Sequence, residues 1–160
     1  MTLKKNVAAL LQTNSKTASN VSIVSFVIQQ TPLPKARPKF RRAGNFVQTY
    51  TPAKSKAWEQ IVMDAATDAM KQSEPMQGNL TASFTFGLPI PKSYSKKAHQ
   101  ACKTGMTAHT KKPDLDNLVK SMLDAMNDIV FLDDAQITRL IAGKHYVEQP
   151  YVSVLIQQGE

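Results

Sequence analysis

Asp114, Asp116, Asp124, Asp128, Asp133 and Asp134 place half of the chain's 12 acidic residues in one short stretch. Four of them sit in two runs, Lys111-Lys112-Pro113-Asp114-Leu115-Asp116-Asn117-Leu118-Val119-Lys120 and Phe131-Leu132-Asp133-Asp134-Ala135-Gln136, with Asp124 and Asp128 between. A compact acidic cluster in a chain of net charge +8 suits a polyanionic substrate with cations at the point of chemistry. Hydrolysis of a phosphodiester is the reaction this pattern fits. Attack on an already anionic phosphate builds further negative charge, which Mg²⁺ can neutralise while lowering the pKa of the attacking water. Mg²⁺ is a hard cation that takes one or two carboxylates and completes its shell with waters and substrate oxygens. Lys120 lies one helical turn beyond Asp116 and could stabilise the developing charge, orient the phosphate or assist proton transfer. Whether one ion or two would bind is left open by the spacing.

Each of these residues also has an ordinary role open to it. Asp114 could serve only as a helix N-cap. Asp116 could complement the helix dipole, and Lys120 could pair with Asp116 or Asp124 along the helix. Asp133 and Asp134 could form a turn, while Asp124 and Asp128 read as solvated. A calcium-loop reading fails, because Val119 stands where that loop needs glycine and Ala125 where it needs glutamate.

The elements that must position these groups are legible from periodicity. Pro113 disfavours helix for Lys112. Leu115, Leu118, Val119, Met122, Leu123 and Met126 then make one apolar stripe, which predicts a helix over Leu115–Met126. Asp116, Asn117, Lys120 and Asp124 fall on its other side, and Phe131-Leu132 reads as a buried pair delivering Asp133-Asp134. Upstream, Val21–Ile28 is a β-branched run and predicts a strand. Pro32, Pro34 and Pro38 hold the following basic segment in extended or turn conformations. Trp58, Ile61, Val62, Ala65, Ala66 and Ala69 predict a second helix, opened by Pro52 and closed by Pro75 and Gly78. Leu80–Phe86 alternates as a half-buried strand, Ser95–Lys103 reads as a short basic helix, and 137–147 and 151–156 read as closing strands around Gln149-Pro150. This order predicts a single compact α/β domain of α+β type, a mixed or mostly antiparallel sheet packed on helices, over residues 21–160. Residues 1–20 read as an N-terminal extension: a short helix could form over Leu3–Leu11, and Gln12–Asn20 is rich in Ser, Thr and Asn and expected to be flexible.

Between Lys35 and Lys56 there is no acid. Lys35, Arg37, Lys39, Arg41 and Arg42, with Lys111 and Lys112 before the acidic motif, are the expected phosphate contacts. Phe40, Phe46 and Tyr50 interleave with them and could stack on unpaired bases or anchor the segment to the core. His99, His109 and His145 lack metal-ligand spacing, though His109 lies near the acidic site. Cys102 is alone, which excludes an intrachain disulfide. No apolar run approaches the roughly 20 residues of a membrane span, and a cytoplasmic location without membrane contact is expected.

The pairing of the two acidic motifs resembles the signature of the RusA-type Holliday-junction resolvases, common in phage and prophage genomes. Asp114-Leu115-Asp116-Asn117-Leu118-x-Lys120, Asp124-Ala125 and Asp133-Asp134-Ala135-Gln136 carry the resemblance, which extends weakly over 21–157 and includes Pro32-Leu33-Pro34-Lys35-x-Arg37-Pro38. It implies a small homodimeric nuclease of recombination and repair that nicks four-way junctions symmetrically with Mg²⁺ or Mn²⁺. Carried over by position, Asp114, Asp116 and Asp134 match metal-binding aspartates, Lys120 a lysine needed for cleavage, and Asp133 a position of lesser role. Two other readings stand beside it: a non-catalytic protein that binds branched DNA, and a nuclease selective for forks or flaps.

Overall fold

The computed structural model describes residues 22–37 and 39–159. The expected N-terminal extension and the start of the first strand at Val21 lie outside the described residues, as do Pro38 and the side chains of Lys39 and Ala43.

Alternation of apolar residues builds the main sheet. Leu80, Ala82, Phe84, Phe86 and Leu88 are buried along β4 (Leu80–Pro89), and Val152, Val154 and Ile156 along β6 (Tyr151–Gln158). With β1 (Ile23–Ile28) and β5 (Ile137–Val147) they form four strands in the order β1-β6-β4-β5. β1–β6 and β6–β4 are antiparallel, while β4–β5 is parallel. The sheet is mixed, and the domain is α+β as the element order predicts.

Helices α1 (Ala53–Met70) and α3 (Leu115–Met126) cover the apolar face. Trp58, Val62, Ala66 and Met70 of α1 meet Leu118, Met122 and Met126 of α3 in one core with the strands. A side chain such as Phe131, fully buried here, stabilises the fold by about 1.5–3 kcal/mol. A parallel pair cannot be joined by a hairpin and needs a long crossover. That crossover carries α2 (Lys96–Lys103), α3 and a single 3₁₀ turn over Asp134–Gln136, and so contains both acidic motifs.

Several local expectations are corrected. Helix α1 ends at Met70, where Lys71 and Gln72 turn left-handed at φ 48° and 64°, before Pro75 and Gly78 are reached. Of the Phe131-Leu132 pair only Phe131 is buried; Leu132 is exposed. The basic segment continues into an antiparallel hairpin of β2 (Lys39–Ala43) and β3 (Phe46–Tyr50), turned at Gly44-Asn45 with Gly44 at φ 63°. It escaped the sequence reading because every described side chain in it is exposed, so no buried face imposes alternation.

Candidate active site

The first acidic motif is held at both ends. Asp114 has extended backbone angles, and its carbonyl accepts the Leu118 N–H at 3.2 Å to close the first turn of α3. Its carboxylate makes no capping hydrogen bond, so the N-cap role open to Asp114 uses only the backbone. The loop leading in is clamped by Lys144 of β5, whose Nζ donates to the carbonyls of Lys111 and Pro113 at 2.7 Å each. On the other side, the Lys35 N–H donates to the Asn117 carbonyl at 3.0 Å and Ser121 Oγ donates to the Leu33 carbonyl at 2.8 Å. The proline-rich segment is thereby laid along α3.

The second motif divides its two aspartates. Asp133 Oδ1 accepts the Ala135 N–H at 2.8 Å and caps the 3₁₀ turn. Gln136 completes the box: its Oε1 accepts from the N–H groups of Leu132 and Asp133, and its Nε2 donates to the carbonyls of Met76 and Gly78. All the hydrogen-bonding capacity of that amide is used. Asp133 is committed to the turn, whereas Asp134 is exposed with its carboxylate unengaged among the described residues.

These two motifs meet across a groove of about 630 Å³ lined by Asp116, Lys120, Asp134 and the apolar side chains of α3 and β5. Asp114 instead opens onto a neighbouring cavity of about 560 Å³, with Asn117, Lys111, Lys112, His109 and Tyr146. Residues two apart at a helix start point to different sides, which separates Asp114 from Asp116. Among the described residues no three His, Cys, Asp or Glu side chains are gathered as a metal-binding group. Two of the three expected carboxylates therefore share a groove with Lys120, and the third, Asp114, lines the other cavity. None of Asp114, Asp116, Lys120 and Asp134 has a side-chain hydrogen bond or ion pair among the described residues.

Three further residues take up defined places. Lys35, expected to contact phosphate, lies 3.0 Å from both Glu59 of α1 and Asp124 of α3. Burial is the largest single influence on its ammonium and lowers its pKa, but hydrogen bonds to Asp124 and Glu59 together outweigh it and hold the pKa above the usual lysine value. Asp124 is thus paired rather than merely solvated. His109 is buried, with its ring centroid 4.4 Å from that of Tyr146. Burial pushes its pKa below the usual value, aided by Lys144 and Lys111 and opposed by nearby backbone groups, so the ring is neutral near pH 7. Lys111 Nζ stands 4.9 Å from the centre of the Tyr94 ring. Tyr94 and Tyr146 place their hydroxyls 3.3 Å apart, and that bond, with burial, pushes Tyr146 up to about 12. Arg37, Arg41, Arg42 and Lys112 are exposed.

A family model described as endodeoxyribonuclease RusA matches residues 29–157. The chain belongs to the RusA endodeoxyribonuclease family. The matched span holds Asp114, Asp116, Lys120 and Asp134, and the RusA family is one of Holliday-junction resolvases, in accord with the motif resemblance. The chain is also similar to the uncharacterized protein YqaN of Bacillus subtilis (strain 168), 32% identical over 137 residues that cover 84% of this chain and 96% of that protein. Among the described residues of this RusA-family chain, no helix is long and apolar enough to cross a membrane. Sequence reasoning missed Lys144 as a positioning residue, since a single lysine in a strand carries no signal. Gln136 lies inside the second acidic motif, but its role as the hub of the turn is set by Met76 and Gly78, some 60 residues upstream.

Proposed function

We propose that the chain is a divalent-metal-dependent endonuclease that resolves four-way DNA junctions by paired nicks, acting as a homodimer. The observation that carries this reading is the groove shared by Asp116, Lys120 and Asp134, side chains from two separated motifs with no partners of their own among the described residues. Exposed carboxylates left unpaired repel one another and gain from a cation.

The donor set fits Mg²⁺, or Mn²⁺ in its place, by its chemistry: the hard carboxylate oxygens of Asp116 and Asp134 line one groove, and one or two carboxylates leave room for waters and phosphate oxygens, with Asp114 on the adjoining turn as the proposed third donor. A bound ion would supply charge neutralisation at the phosphate and a lowered pKa for a water. The chain's own groups do the rest. Lys120 supplies a fixed cation beside the carboxylates, where it orients the phosphate and offsets charge developing on it. Gln136 and Lys144 hold the two backbone segments that carry Asp134 and Asp114. Arg37, Lys39, Arg41, Arg42, Lys111 and Lys112 are the proposed phosphate contacts that keep the strand in register. A two-fold dimer suits a junction whose paired strands are themselves related by near two-fold symmetry.

The test is incubation of the purified protein with end-labelled four-way junction, fork and linear duplex, with and without Mg²⁺. Symmetric nicks in the junction that need the ion are the expected outcome. Cutting of forks alone would replace the reading with a flap-type nuclease, and binding without cutting any branched substrate would leave a DNA-binding protein.

A further inference from the structure

Among the described residues the β2–β3 hairpin pairs only with itself, as a two-stranded sheet apart from the main one. Its register, Phe40 opposite Thr49 and Arg42 opposite Val47, puts those residues on one face, and Arg41, Phe46, Gln48 and Tyr50 on the other. Neither face is covered by the described residues: Phe40 is 72% exposed, Phe46 80%, Val47 64% and Tyr50 45%. An isolated two-stranded hairpin is marginal in water, and apolar rings displayed on both of its faces cost free energy until something covers them. The alternative that these rings anchor the segment to the core is therefore excluded for Phe40 and Phe46.

Charge selects the occupant. Arg41 and Arg42 are exposed on opposite faces, and no acid occurs between Lys35 and Lys56 to neutralise them. A second copy of the same hairpin would bring arginines against arginines, whereas a polyanion with apolar faces complements both features. Nucleic acid has that chemistry wherever base faces are uncovered. A ribbon lying in a duplex groove would offer rings to base edges on one side only. Rings on both sides gain stacking where bases are exposed on both sides, as between the helical arms at a branch point.

We propose that the β2–β3 hairpin is a two-sided wedge that enters the branch point of DNA, Phe40 and Phe46 stacking on bases of different arms while Arg41 and Arg42 contact the flanking phosphates. The proposal rests on the reading of the chain as a branched-DNA enzyme and assigns junction preference to a part of the fold separate from the carboxylates.

The test uses the full-length chain and junctions carrying 2-aminopurine either at the crossover or inside an arm, with EDTA present so that no cutting occurs. Wild-type protein changes the emission of the crossover probe and not of the arm probe. The Phe40→Ala/Phe46→Ala variant abolishes that change and loses about tenfold of its preference for junction over duplex, with an unchanged thermal midpoint because neither ring is buried. An unchanged probe response and preference in that variant overturns the wedge. So does conversion of a wild-type dimer to monomer by the same substitutions, which assigns the hairpin to self-association. Cutting is measured separately with Mg²⁺. Wild type that cuts junctions while hairpin variants respond normally sinks the wedge alone, and a hairpin-dependent response without any cutting sinks the nuclease reading alone.

Discussion

The ammonium of Lys144 lies 2.7 Å from the carbonyl oxygen of Pro113, and so a residue in the middle of β5 holds the peptide that leads into Asp114. A second bond of the same length to the Lys111 carbonyl doubles the clamp. Hydrogen bonds from a charged donor contribute about 1.5–3 kcal/mol each. We expect Lys144→Met to lower the nicking rate about tenfold or more, since small misplacements at a reacting centre are expensive. Affinity for junction DNA should change far less. Wild-type rates in this variant, measured under single-turnover conditions, would show that the loop holds itself.

Asp133 and Asp134 should separate cleanly despite being adjacent. Asp133→Ala removes a cap, with a stability loss of about 1 kcal/mol and partial activity. Asp134→Asn should leave the thermal midpoint unchanged and remove nicking. Reversed phenotypes, read by melting and cleavage assays on both variants, would exchange their roles.

For Asp116→Asn, nicking should fall by more than the roughly 10–100-fold that loss of an outer-shell partner costs at a metal site. Junction affinity should hold or rise, because one negative charge facing phosphate is gone. A gel-shift titration showing binding lost along with cleavage would make Asp116 a structural residue.

His109 should make the fold acid-sensitive. Its pKa is lowered in the folded chain, first by burial, so below the unfolded value of about 6.5 the unfolded state takes up a proton that the folded state refuses. This contribution to stability is complete above about pH 6.5 and is lost as pH falls toward the folded value. His109→Phe, which keeps a ring against Tyr146, should flatten the fall of the urea midpoint between about pH 8 and 5. Parallel curves for the two proteins would place the acid sensitivity elsewhere.

Lysine and arginine in the basic segment should behave differently. Arg37→Ala, Arg41→Ala and Arg42→Ala should each reduce the slope of log affinity against log salt by about 0.9. Lys35→Met should instead lower stability by about 1 kcal/mol, because it strands Glu59 and Asp124, and each partly exposed pair contributes little. A salt slope altered by Lys35→Met as much as by the arginine changes would return Lys35 to the DNA-binding set.

The sequence by itself determined the parts whose cause is local. The α3 stripe, the alternation of Leu80–Phe86, the closing strands and the two acidic motifs follow from side-chain period and composition, and the resemblance of those motifs to the RusA signature agrees with the family match over residues 29–157. Boundaries set by single residues were less legible. Left-handed Lys71 and Gln72 ended α1 with no glycine or proline to announce it, and a hairpin with two wet faces left no alternation to read. What only the tertiary structure decided are the relationships across the chain. The parallel β4–β5 pairing folds the crossover so that Asp116 and Lys120 face Asp134 while Asp114 opens elsewhere. The same packing places Lys35 between Glu59 of α1 and Asp124 of α3, and gives Lys144 and Gln136 their positioning roles. Such pairings depend on which backbone carbonyl or carboxylate lies within reach of a long side chain, and that distance exists only after the core has closed.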